Sequence, residues 1–593
     1  MKELKASWLM RMLAAMITLQ FSFFTATAQG WPANYGGVML QGFYWDSYSD
    51  SKWTVLESQA DELSQYFDLI WVPNSAYANA TSNNMGYHPV YWFDHKSAFG
   101  TEAELRSMIN TFKEKGTGII EDVVINHRAS VDGNWLNFPA ETWKDETYQL
   151  TAADICQDDE SKDNGFKPTG AKDTGQNWGG ARDLDHTSEN VQKNVKAYLD
   201  FLLNDLGYVG FRYDFVLGYA AKYIGLYNTT TQPSFSVMEC WENLATIKNW
   251  IEGSKVDGVI QSAAFDFPMK FNINNAFSNG GNWSKLETDN LTTQSGYSRY
   301  SVTFVDNHDT GRPGESPLYA NVDAANAYIL TMPGTPCVWL QHWLTSKKAI
   351  KKMIAVRKAA GLTNESEIIK KGVEGNGYVL NVKGANGNVL LLLGSPTAET
   401  NGYKLATEGT NYQLYVSEGV DLSNVEAVDK ESDNFVAPEF CHVNDGEICA
   451  FFEAPSSWTT VKCWAWDDKG NYTGGKWPGA ACSKIGTNNG KTVWKWTWDK
   501  TYTGTTATSP TQIIFNNDNN GSQTSDRDFK NGGYYDQAGA LQGIVTGICR
   551  INTDTDKVAD IYSLDGRLVR TNGNLDNLPK GIYIIGNRKI VRR

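Results

Sequence analysis

Short apolar runs at 38–43, 67–72, 118–124, 208–215, 235–240, 258–265, 301–305 and 336–340 alternate with stretches of helical apolar spacing, such as 52–66, 102–115 and 190–206. The runs read as buried strands and the amphipathic stretches as helices that cover them. Eight strands separated by helices predict an α/β fold, a parallel (β/α)8 TIM barrel, over 29–364. The stretch 128–183 is rich in Asp, Asn, Gly and Lys and follows the third strand. It is too long for a connector and predicts a functional insert.

Beyond 364 the pattern changes. Alternating positions at 379–382 and 389–393, broken by Gly/Asn turns, predict a small antiparallel β domain over 365–418. Residues 419–440 are acidic and irregular and read as a linker. Aromatic strands at 460–467, 492–499 and 512–516 predict a β-sandwich over 441–545, and a short β-rich tail fills 550–593.

The first 28 residues stand apart. Lys2, Lys5 and Arg11 precede a mostly apolar run at 12–24, and Ala26-Thr27-Ala28 supplies a small-x-small cleavage pattern. Such a run spans only about 20 Å of a ~30 Å membrane core, so a signal peptide is the expectation. No other stretch reaches a membrane-spanning length, so the mature chain is expected to carry no span, to be secreted or attached at the outer surface, and to act as a monomer. The net charge of −14 disfavours nucleic acid as a partner. Of the eight cysteines, Cys441, Cys449, Cys463 and Cys482 lie close together in sequence and are expected to form bridges, in unknown pairing. Cys156, Cys240 and Cys337 read as free thiols.

Candidate chemistry gathers where predicted strands end. Asn126-His127 closes the third, Arg212-Tyr213-Asp214 the fourth, Glu239 the fifth, and Asp306-Asn307-His308-Asp309 follows the seventh. In a βα barrel these C-terminal ends meet over one mouth, so Asp214, Glu239 and Asp309 converge. Paired carboxylates over a polar cleft suit glycoside hydrolysis, one attacking the sugar carbon and one exchanging protons. Arg212, two residues before Asp214 on the same strand face, favours its ionised form. The apolar run before Glu239 predicts a raised pKa, suited to an acid.

The segments Asp122-Val123-Val124-Ile125-Asn126-His127, Gly210-Phe211-Arg212-Tyr213-Asp214, the run ending at Glu239 and Phe304-Val305-Asp306-Asn307-His308-Asp309 resemble, in order, the four hallmark regions of the alpha-amylase family. Val38-Met39-Leu40-Gln41-Gly42-Phe43-Tyr44-Trp45, Asp173-Thr174-Gly175 and Asp183-Leu184-Asp185-His186 are similar to the plant-type members, and the likeness covers about 36–415. The resemblance implies Asp214 as nucleophile, Glu239 as acid/base and Asp309 as transition-state stabiliser. It implies Arg212 as the residue holding the nucleophile, His127 and His308 as hydrogen-bond partners of the sugar, Tyr87 as its stacking partner and Trp241 against the next sugar. It also implies calcium (Ca2+) held by Asn126, Asp173, Asp183 and the Gly218 carbonyl, with a second ion suggested by Asp159 and Asp183. Two positions depart from the family: Asn177 stands where plant relatives carry Asp, and Leu217 where many carry a basic residue.

Trp464 and Trp466 share one strand face, and Trp477 follows in a Trp-Pro-Gly turn. The arrangement resembles family 26 starch-binding modules, which implies glucan contact by these three indoles. Trp494, Trp496 and Trp498 fit either a second platform or a core. The tail resembles C-terminal sorting domains of certain Gram-negative bacteria. The expected function is a retaining endo-acting alpha-amylase on starch, glycogen and maltooligosaccharides. The alternatives are a maltooligosaccharide-forming enzyme or glucan transferase of the same family, and a non-catalytic glucan-binding surface protein.

Overall fold

The computed structural model describes residues 30–545, apart from 49, 132, 279–280, 431–434, 436, 439, 445, 456, 489–490, 505–507 and 519–521, together with the strands between 561 and 592. The expected signal peptide, Cys549 and the turns of the tail lie outside the described residues. The chain divides into two units, Met1–Lys430 and Glu431–Arg593.

In the first unit eight parallel strands close into a barrel: β1 (Met39–Gln41), β2 (Leu69–Val72), β3 (Gly118–Val123), β4 (Gly210–Tyr213), β5 (Phe235–Met238), β6 (Ala263–Phe265), β7 (Ser301–Phe304) and β8 (Thr335–Trp339). Each pairs with its neighbours in sequence, and β1 closes on β8 through Leu40 opposite Val338. Nearly every strand residue is buried, because the interior fills with side chains on one face and the helices cover the other. The predicted strand at 258–265 is shorter at its start: Asp257 and Gly258 both take positive φ and turn the chain between Val256 and Val259. The helix predicted at 52–66 is split into Trp53–Ser58 and Ala60–Tyr66 at Gln59, whose φ/ψ of −98°/2° opens the turn. The helix Glu102–Glu114 begins as expected, with Thr101 and Glu104 forming a capping box.

The insert is tied to the barrel at both ends. His127–Arg128 pairs antiparallel with Arg182–Asp183, and buried Arg128 pairs with Glu141 of a short hairpin. Residues 367–417 form a five-stranded antiparallel sheet. Tyr378, Leu380 and Val382 face the barrel's apolar core, while Val379, Leu390 and Leu392 form a small cluster on the opposite face. The predicted linker is corrected here. Its first part is the helix Ser423–Lys430, whose Val425 and Val428 are buried in the first unit's core. A short amphipathic turn inside an acidic run is easily read as irregular chain.

The second unit contains two facing sheets, one built around Cys449–Glu453 and Lys491–Thr497, the other around Lys462–Trp466 and Gln512–Asn516. The tail forms its own four-stranded antiparallel sheet over Ile561–Ser563, Leu568–Arg570, Gly581–Ile585 and Arg588–Arg592. The expected bridges are not formed: Cys441, Cys449, Cys463 and Cys482 are buried free thiols, as are Cys156, Cys240 and Cys337. Cys463 and Cys482 pack in one apolar cluster and Cys441 and Cys449 in another, each serving as a small hydrophobe.

Candidate active site

The barrel ladder places the two central carboxylates. The Asp214 N–H donates to the Val123 carbonyl and the Glu239 N–H to the Tyr213 carbonyl, each at 3.0 Å, so both residues extend their strands by one position into the mouth. Arg212, pointing inward from β4, lies between them. Its Nη1 is 2.7 Å from Asp214 Oδ1 and 2.7 Å from Asp122 Oδ1, and its Nη2 is 2.7 Å from Glu239 Oε1. The Arg212 side chain is 1% exposed, whereas Asp214 and Glu239 are 13% and 11% exposed. The cation is therefore sealed beneath the site while both acids reach the cleft.

Phe215, directly after Asp214, takes a left-handed conformation (φ 41°, ψ 53°) that a non-glycine residue adopts at a cost. In that conformation its N–H donates to Glu239 Oε2 at 3.0 Å. Asp309 is set by an Asx turn: Asn307 Oδ1 accepts from the Asp309 and Thr310 N–H groups at 3.0 and 2.7 Å.

The hydrogen bonds fix a proton order. Gln41 Nε2 donates to His308 Nδ1 at 2.9 Å, so His308 carries its proton on Nε2. That nitrogen lies 2.6 Å from Tyr87 Oη and 3.1 Å from Asp309 Oδ2, and the Tyr87 hydroxyl donates to Asp122 Oδ2 at 2.9 Å. His127 accepts from Asn126 Nδ2 and spends its Nε2–H on the Tyr87 carbonyl at 2.8 Å. Burial holds His308 down at about 4 and His127 at about 3, so both rings are neutral donors.

Burial pushes Glu239 up to about 7, opposed by Arg212 and helped by Asp214 and Asp309. Burial also pushes Asp214 up to about 6 against the pull of Arg212. The sequence expectation of a raised Glu239 is met. Asp214 is not lowered as expected, because burial outweighs the pull of Arg212, which is shared with Asp122 and Glu239.

Asp214, Glu239, Asp309, Arg212, His308, Tyr87 and His127 thus come together. Trp241 stacks on Phe267 with centroids 5.1 Å apart. Residues that the motifs contained without a role also belong here: Asp122 and Gln41 in the polar network, and Trp45, parallel to Tyr87 at 5.9 Å. Trp178 of the insert escapes sequence reasoning altogether. Its indole lies 4.1 Å from the His127 ring, folded back over Gly180, where any Cβ would overlap it. An aromatic residue in a Gly/Asn-rich insert is the one signal that could have found it.

The predicted ion ligands adjoin this wall. Asn126 Oδ1 lies against Gly218, where a Cβ would come within 1.9 Å of it. Asn126 Nδ2 donates to Asp183 Oδ1, and the Trp178 N–H donates to Asp183 Oδ2. Asp173 Oδ2 is buried without a hydrogen-bond partner. Burial pushes Asp183 up to about 8, with Asp173, Asp159 and Glu160 adding to the push. Uncompensated carboxylates beside amide and carbonyl oxygens fit a hard divalent cation. Among the described residues no three His, Cys, Asp or Glu side chains converge on one point, so a cation held here would also need the amide and backbone oxygens. Asp159 instead braces the insert, its oxygens accepting from the Asp183 and Ser161 N–H groups beside Arg182.

In the second unit Trp464 and Trp466 project from one face of Lys462–Trp466, half-buried, while Cys463 and Ala465 point into the core. Trp477 is 47% exposed and meets Trp464 at 5.9 Å and 61°. The Pro478 carbonyl accepts from buried Asn516, which pins the Trp477 turn. Trp496 is buried, and Trp494 and Trp498 pack against the same cluster, so that row is core.

Residues 66–345 match the model of the alpha amylase catalytic domain, and residues 450–529 match starch-binding module 26. Probable alpha-amylase 2 of Arabidopsis thaliana is 29% identical over 405 residues, covering 64% of this chain and 93% of that protein. Glucan 1,4-alpha-maltotetraohydrolase of Stutzerimonas stutzeri is 27% identical over 422 residues, covering 64% and 73%. The crystal structure of CldA, a cyclomaltodextrin glucanotransferase with a three-domain ABC distribution, shares the fold at a TM-score of 0.50 and 16% identity, covering 65% and 98%.

Proposed function

We infer, for a chain that belongs through its catalytic domain to the alpha-amylase family of hydrolases and carries a starch-binding module, that it cuts internal α-1,4-glucosidic bonds of starch and glycogen with retention. The observation that carries this reading is the single Arg212 fork gripping both Asp214 and Glu239 at 2.7 Å. One guanidinium joins only carboxylates held near each other, which brings the pair within reach of a single glycosidic bond. Asp214 attacks the anomeric carbon as Glu239 gives its proton to the departing oxygen. Glu239 then takes a proton from water, which releases the sugar from Asp214. Asp309 offsets the positive charge that develops on the ring. Neutral His308 and Tyr87 offer a proton-ordered wall, and burial keeps Glu239 protonated near neutrality.

Asp214→Asn is expected to abolish release of reducing ends while starch still binds through the module, and turnover like that of the parent would overturn the assignment. Proton NMR of the first product decides retention, which requires the α anomer to appear first. The similarity to a maltotetraohydrolase supports a second reading, a maltooligosaccharide-forming enzyme, marked by one short product dominating the early time course.

Members of the family generally bind calcium. In this chain Asn126, Asp173, Asp183 and the Gly218 carbonyl would hold the ion, which would neutralise the insert's carboxylates and pin the wall bearing Trp178 and His127. A chelator is expected to lower activity on soluble starch and the melting temperature together, with both restored by added calcium. Export is proposed on the leader pattern of residues 1–28, and a sorting role for the tail on its motif.

A further inference from the structure

Trp45, Tyr87 and His308 form a set of near-parallel rings beside Asp309, with centroids 5.9 Å (Trp45–Tyr87), 6.1 Å (Trp45–His308) and 5.5 Å (Tyr87–His308) apart. Arg312 stands at the rim of this set. Its guanidinium carbon is 4.3 Å from the Trp45 ring centroid, and its Nη2 is 3.0 Å from Asp309 Oδ1. The turn that brings it there is local, since the Arg312 N–H donates to the Asp309 carbonyl at 3.1 Å. His308 Nε2 meets the other Asp309 oxygen at 3.1 Å. The third carboxylate therefore has the neutral His308 ring near one oxygen and, on the other, an ion pair with Arg312 at the solvent edge.

An exposed ion pair is usually worth little, because both partners are free to move. This one differs in having a backstop. Stacking over Trp45 removes freedom from the guanidinium before it meets Asp309, so less is lost in holding the carboxylate. We propose that Arg312 is a positioning residue for the reaction, which, clamped on Trp45, fixes the direction of Asp309. The proposal rests on the reading of Asp309 as the stabilising carboxylate.

Its charge has a second consequence. Around Asp309 stand His308 and Arg312 from its own loop, Asp214 and Glu239 from β4 and β5, and Arg212 and Tyr87 behind them. Glu315, 4.0 Å from Arg312, faces the guanidinium. Arg212 is already shared among three acids, so Arg312 is the cation paired with Asp309. Losing it leaves Asp309 less compensated, which favours the protonated forms of Asp214 and Glu239 and moves both limbs of the pH profile upward.

The test compares Arg312→Gln, Arg312→Lys and Asp309→Asn in the full chain, with maltoheptaose as substrate across pH and melting curves alongside. For Arg312→Gln, kcat is expected to fall about tenfold with KM changed less than about twofold, and the alkaline limb to move up by roughly half a pH unit. Arg312→Lys should return the limb to its parent position but recover only part of kcat, since an ammonium lacks the planar fork. Parent-like kcat and pH limbs in Arg312→Gln would overturn the proposal. So would a raised KM with kcat kept, which would make Arg312 a rim contact for sugar. If Arg312→Gln melts early, Arg312→Lys decides, and full kcat in that variant is the overturning result. Undiminished kcat in Asp309→Asn would instead remove the reading beneath it.

Discussion

Arg212 lies within 2.7 Å of oxygens from Asp122, Asp214 and Glu239, and its side chain is 1% exposed. Three buried acids around one cation leave an excess of negative charge if all ionise. Burial therefore keeps protons on the group least well placed, and Glu239, pushed up to about 7, is held above Asp214 at about 6. That ordering is what a nucleophile and an acid require. The pH dependence of kcat/KM should be a bell, falling toward acid as Asp214 gains a proton and toward alkali as Glu239 loses one. Its apparent limbs near 6 and 7 belong to the coupled pair and not to either residue alone. A profile still rising above about pH 9 would contradict this assignment. Arg212→Lys keeps the charge but replaces a fork by a point donor, so it cannot hold Asp214 and Glu239 together. The expected loss is about a hundredfold in kcat on soluble starch, with the folded state retained by circular dichroism.

On the strand β3, neighbouring acids go to opposite faces. Asp122 points into the mouth, whereas Glu121 is buried on the other side, accepting from the Ser75 N–H and hydroxyl at 2.8 and 2.7 Å, with no cation beside it among the described residues. Burial pushes Glu121 up to about 8. Between its ordinary value of 4.5 and about 8 the folded chain holds a proton that the unfolded chain has released, so stability falls as pH rises through that window. Glu121→Gln removes the titration, and its melting temperature, with calcium saturating, should decline less than the parent's between about pH 5 and 8; equal slopes would show that the carboxyl is not protonated. The same strand shows what a sequence can reveal. All eight barrel strands are visible as apolar runs, and four of them are marked further by ionisable residues at or just past their ends. Trp178 and Arg312 sit on loops, where no period exists and only tertiary contact with His127, Trp45 and Asp309 gives them meaning. The helix Ser423–Lys430 is hidden for a related reason: two valines among acidic neighbours signal nothing until a core receives them.

At the scale of the whole chain, the groups proposed for bond cleavage and the indoles proposed for glucan capture lie in different units: the former within Met1–Lys430, the Trp464–Trp477 pair within Glu431–Arg593. Attaching a binding surface to a catalytic one raises the local concentration of substrate only when the substrate is large enough to engage both. A short soluble oligosaccharide in a filled site gains nothing from the second unit, whereas a starch granule does. Trp477, half exposed on a turn pinned by Asn516, and Trp464, at an angle to it, offer flat apolar surface to glucose rings without taking part in the core. The double variant Trp464→Ala, Trp477→Ala should therefore fold normally, lose roughly tenfold or more in adsorption to granular starch, and slow in proportion on granules. Its kcat/KM on maltoheptaose should stay within about twofold of the parent, because the Arg212-centred site is untouched. A matching loss on both substrates would place those indoles in the folding of the chain, and undiminished adsorption would move the glucan-binding surface elsewhere.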